Sequence, residues 1–145
     1  MRSFHFSRAV WISIVNYAFS FLLTIAIGAY SNFDLMYASD IPNYFLYWGM
    51  VATVLTTPLL TWWYLGAGSV LPNAKTGLMF GVTMFLVTFL MDLSLFASFF
   101  LLHFVRLETF LFYTNPLFWV STSVMLALAS MSAEWMRKRH LKTRA

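Results

Sequence analysis

Asp92 is the side chain in this sequence best placed to do chemistry, because it lies inside an apolar run from Thr76 to Val105 that contains no other Asp, Glu, Lys or Arg. A carboxylate held within a bilayer costs roughly 3 kcal/mol on insertion scales, so such a group needs a hydrogen-bond partner or a task. As a task, it suits binding of a proton, a cation or a positively charged ligand. As a partnered group, protonated or hydrogen-bonded, it ties helices together. The polar residues expected to serve it are Asn16 in the first apolar run, Thr53 and Thr57 in the second, and Thr88 one turn before it, or else donors from another subunit.

Other chemistry finds little support. His103 lies eleven residues beyond Asp92, about 16 Å along an ideal helix, too far for a dyad within one helix. His5 and His140 stand in charged segments at the ends of the chain, so no histidine pair brackets a haem. The absence of cysteine removes thiolate nucleophiles and Cys-ligated metal. No Ser/His/Asp arrangement, phosphate-binding glycine loop or paired carboxylate occurs at useful spacing. The pattern points away from a free-standing enzyme, a metal or other cofactor, and nucleic acid.

The elements that must position Asp92 follow from composition. With 61% hydrophobic and only 10% charged residues, the chain is far from the globular average, and its charges cluster between long uncharged runs. The expected fold is an all-α integral membrane protein, one domain of four spans at about 9–30, 44–65, 76–104 and 116–136, followed by a basic tail over 137–145. The first span, about 33 Å of helix, is long enough to cross a hydrocarbon core. Its uncharged stretch outlasts a signal-peptide core and suits a retained signal-anchor helix. Asp40 with Pro42, Asn73, and Asn115 with Pro116 read as caps that start the second, third and fourth helices.

The connections are short and predict a transmembrane four-helix bundle with antiparallel neighbours. In that arrangement the termini and the loop holding Lys75 share one side with eight basic residues, against Arg106 alone on the other. Lys and Arg stay on the cytoplasmic side, so both termini are expected there, in a bacterial inner membrane. Aromatic residues fall at the two predicted interfaces, with Trp11, Trp62, Trp63, Tyr64 and Trp135 at one of them.

Polar spacing indicates which faces avoid lipid. Asn16, Ser20, Thr24 and Gly28 recur at steps of four, as do Gly49, Thr53, Thr57 and Thr61. Such rows suit close helix packing with hydrogen bonds across the contact, or a polar conduit. In the third run Gly77 and Gly81 form a G-x-x-x-G pair for helix packing, and Gly81, Thr88 and Asp92 share one face. Pro58 removes the hydrogen bond to the Val54 carbonyl and marks a kink or hinge, with Thr57 able to cover the exposed backbone. Glu134 precedes Lys138 by four residues, the spacing of a helical ion pair.

Two functions remain open. One is a non-catalytic accessory, assembly or regulatory subunit whose partners are the bilayer, anionic lipid at the basic tail and a larger membrane protein. The other is an oligomeric small transporter or channel-like protein in which Asp92 holds a proton or cation.

Overall fold

A computed structural model of the protein describes residues 4–30, 43–66, 70–101 and 113–142. It is all-helical, with α1 over Phe6–Tyr30, α2 over Asn43–Gly66, α3 over Ala74–Leu101 and α4 over Pro116–Lys142. Three of these helices, α1, α3 and α4, are long and apolar enough to cross a membrane. α2 has 24 residues and is helical on both sides of Pro58. The Asp40–Pro42 cap and His103 lie outside the described residues.

Two asparagines start helices as their spacing predicts. The Thr76 N–H donates to Asn73 Oδ1 at 2.8 Å, covering an orphan donor of the first turn of α3. At α4 the Leu117 N–H donates to Asn115 Oδ1 at 3.0 Å, and Pro116 takes the first position, where its missing N–H costs nothing. The far end of α4 differs from expectation, because the helix continues past Met136 to Lys142. Side chains along this stretch support the extra turns. Arg137 donates to both Glu134 oxygens, at 2.9 and 3.0 Å from Nε, and the Arg139 guanidinium lies 3.6 Å from the centroid of a Trp135 ring. Glu134 thus pairs with Arg137 rather than Lys138, since a planar guanidinium meets a carboxylate with two donors at once.

The helices meet as a set in which α3 packs on α4, α2 on α4, and α1 on α3, with a lighter contact between α1 and α2. Their apolar core gathers at one end, from Ala9 and Ile12 of α1, Tyr64 and Leu65 of α2, Phe80 and Met84 of α3 and Ala133 of α4. Tyr64, expected at an interface, is fully buried there. Its ring stacks on Phe80 with centroids 4.7 Å apart, and its hydroxyl accepts the His5 N–H at 3.1 Å. Burial of its apolar ring, with the hydroxyl satisfied by a backbone donor, removes the need for water. Trp11, Trp62, Trp63 and Trp135 stay exposed.

Gly77 and Gly81 lie against α4. A methyl group built on Gly77 overlaps the Ala129 carbonyl oxygen and stands 2.7 Å from Ala133 Cβ. At Gly81 it would stand 3.2 Å from Ala129 Cβ and from Leu126 Cδ2. Small residues on both sides let the two backbones approach closely, which supports helix association where lipid removes the hydrophobic driving force. Gly77→Ala must separate α3 from α4 and should destabilise the protein by about 1–3 kcal/mol, with a smaller loss for Gly81→Ala. Reversible unfolding of detergent-purified variants checks this, and a Gly77→Ala protein as stable as the parent would refute the close approach.

Candidate functional site

Several hydroxyls in the helices have their protons directed to their own backbone. Ser13 donates to the Ala9 carbonyl, Thr53 to Gly49, Thr61 to Thr57, Thr83 to Met79 and Thr122 to Phe118, each four residues back. This satisfies a polar group inside a helix without a partner from outside. The threonine row of α2 therefore does little cross-linking: Ser121 of α4 reaches Thr53 Oγ1 only at 3.5 Å. Thr57, next to Pro58, is buried, and its hydroxyl has no hydrogen-bond partner, so it does not cover the Val54 carbonyl.

Asp92 is served instead by two tyrosines. Tyr17 of α1 donates its hydroxyl to Asp92 Oδ1 at 2.7 Å, and Tyr113 donates to Oδ2 at 3.1 Å. The carboxylate of α3 thus joins α1 to the turn that leads into α4. Tyr17 occupies the next position on the buried face formed by Ala9, Ile12 and Ser13. The Tyr113 ring meets Phe89 and Phe118 edge-on, with centroids 5.3 and 5.0 Å away. Its carbonyl accepts the Trp119 indole N–H at 2.8 Å. Ring edges on two sides and a fixed backbone hold the hydroxyl towards Asp92. Burial, reinforced by the neighbouring carboxylate, raises the Tyr113 hydroxyl above the ordinary tyrosine range, which keeps it a donor.

Beyond this tie, Asp92 lines a cleft of about 130 Å³ with Thr88, Phe85 and Phe89 of α3, Thr53 of α2, and Phe118, Ser121, Thr122 and Met125 of α4. Of the residues expected around Asp92, the fold brings Thr53 and Thr88 to this cleft. Asn16 is half-buried beside Tyr17 on α1, and neither it nor Thr57 lines the cleft or hydrogen-bonds to the carboxylate. Tyr17, Tyr113, Ser121 and Thr122 escaped the sequence reading. One signal was present: a tyrosine within an apolar span carries a hydroxyl that needs a partner, and a lone carboxylate in another span is a natural one. Among the described residues no group of three or more His, Asp or Glu gathers as metal ligands would.

No family model, curated protein or solved structure matches the chain. What the site can do rests on its own groups: a carboxylate fixed by two donors, with hydroxyls and aromatic rings beside it.

Loss of the Tyr17 hydroxyl should cost roughly 1 kcal/mol of stability, a typical value for a hydrogen bond between membrane helices. Tyr113→Phe, with the longer bond, should cost less. A double-mutant cycle of Tyr17→Phe with Asp92→Leu in detergent measures the pair directly, and a coupling energy of zero would remove the tie.

Proposed function

We propose that this chain is a four-span, multi-pass protein of the inner membrane, a four-helix bundle in which helices consecutive in sequence run antiparallel and both termini are cytoplasmic, and that it serves as a non-catalytic accessory, assembly or regulatory subunit of a membrane complex. The observation that carries this reading is the use of Asp92 to hold the protein's own helices through Tyr17 and Tyr113. A carboxylate committed to such a scaffold, in a sequence with no catalytic triad, phosphate-binding loop or paired carboxylates at useful spacing, fits a part of a larger assembly. Large apolar side chains remain exposed along every helix, among them Leu22, Leu55, Leu90 and Met131, a surface open to lipid or to a partner helix.

The topology draws support from packing. Gly77 near the start of α3 faces Ala129 and Ala133 near the end of α4, while Phe85 and Phe89, further along α3, face Phe118 and Tyr113. Arg8 donates to the Trp63 carbonyl at 2.6 Å, which brings the first basic residue of α1 to the end of α2. At the basic end of α4, Trp62 stacks on Trp135 at 5.1 Å with Arg139 over the same Trp135. Aromatic rings beside cations suit a membrane interface and anionic lipid.

The test of the subunit reading is affinity purification of the tagged chain from its native membrane. One membrane protein should co-purify in fixed proportion, and Asp92→Asn should leave that association largely intact. Recovery of the chain only as a free monomer would overturn the reading. The lack of native cysteine allows a clean topology test, with Asp34→Cys expected to react with an impermeant thiol reagent outside and Arg144→Cys not. The opposite labelling would invert the topology.

The cleft favours a second reading, an oligomeric small transporter or channel-like protein with Asp92 as its proton or cation site. This predicts coupled flux in liposomes that Asp92→Asn abolishes, and undiminished flux in that variant would exclude it.

A further inference from the structure

We propose that the cleft at Asp92 binds a small primary alkylammonium ion, its head on the carboxylate and neighbouring hydroxyl oxygens and its short apolar tail along Phe85, Phe89 and Phe118. The inference rests on the second reading of Asp92 for the site and goes further by naming the ligand's chemistry.

Three observations converge on that class. First, several polar groups of the cleft present lone pairs. Thr53 and Thr122 direct their protons to the Gly49 and Phe118 carbonyls, and Ser121 points its own towards Thr53. The Asp92 carboxylate accepts one hydroxyl on each oxygen, which leaves about two of its four acceptor directions open. Such a surface selects a ligand rich in N–H donors and disfavours anions. Second, phenyl rings and the Met125 thioether form the rest of the wall. Ring faces attract a cation and accept its methylene groups equally well. Third, the cleft of about 130 Å³ compares with about 30 Å³ for one water in the liquid. A bare metal ion draws oxygen ligands in to about 2–2.6 Å, whereas rings and methylene-sized space fit a head with a carbon tail.

The two tyrosines prepare the site. They fix both carboxylate oxygens before any ligand arrives, so binding needs little reorganisation. The ammonium then neutralises a charge that apolar surroundings disfavour.

The test is titration of the protein, purified in neutral detergent, with butylammonium chloride, read as the thermal-unfolding midpoint. A saturable rise is expected, with apparent affinity roughly tenfold or more above that for 1-butanol, the uncharged counterpart. Tetramethylammonium, which has charge but no N–H, should bind more weakly than butylammonium. Asp92→Asn should abolish the response, and Thr53→Val with Thr122→Val should weaken it while leaving both tyrosine bonds in place. Should Asp92→Asn fail to fold, the threonine pair carries the test alone. The proposal is overturned if the native protein shows no saturable response, if butanol matches butylammonium, or if the threonine variant binds as the parent does. Because binding is measured without flux, a protein that binds butylammonium and moves no ion overturns the transport reading alone.

Discussion

A carboxylate in an apolar helix cannot be left without donors, and the way this one is satisfied organises half of the molecule. Asp92 takes one hydroxyl from α1 and one from the turn before α4, so a single side chain of α3 locates two other segments. The surroundings of the tie follow from the same need. Tyr113 must offer its hydroxyl from a fixed direction, which the edges of Phe89 and Phe118 and the bond from Trp119 secure. The cleft is what remains on the side of the carboxylate that the tyrosines do not cover.

The other half of the molecule is held by different means. At the end where Gly77 meets Ala129 and Ala133, contact is made by the near absence of side chains, and Tyr64 fills the remaining space among Ile12, Phe80 and Met84. Packing of this kind depends on shape and adds few polar groups. Several helix hydroxyls, those of Ser13, Thr61 and Thr83 among them, bond their own backbone and so do not cross-link helices. Close packing at one end and a polar tie at the other leave α1 and α2 more lightly packed on each other, among the described residues, than α1 on α3, α2 on α4 or α3 on α4.

Features governed by local chemistry were readable from sequence. Asn73 and Asn115 cap helices because the capping bond spans only two or three residues. Runs of apolar residues located the four helices because length and hydropathy are properties of one segment at a time. The glycine pair announced close packing, although its neighbours Ala129 and Ala133 could not be read from spacing. The donors of Asp92 were not legible for the same reason: Tyr17 is 75 residues away, and Tyr113 lies in a turn without periodicity. Counting polar residues at steps of four favoured Asn16 and the threonine row. The structure favours tyrosines, whose long side chains reach across a contact while threonine protons turn back to the backbone.

The order of these residues along the chain bears on biogenesis. Tyr17 precedes Asp92, and Tyr113 follows it by 21 residues. In a protein made and inserted from its N-terminus, α1 is already in place when α3 arrives, so the acidic residue enters beside a resident donor. The second donor comes later, with the turn that starts α4. The carboxylate therefore gains its two donors in sequence, and a protein truncated before Tyr113 would retain an acid with only one of them.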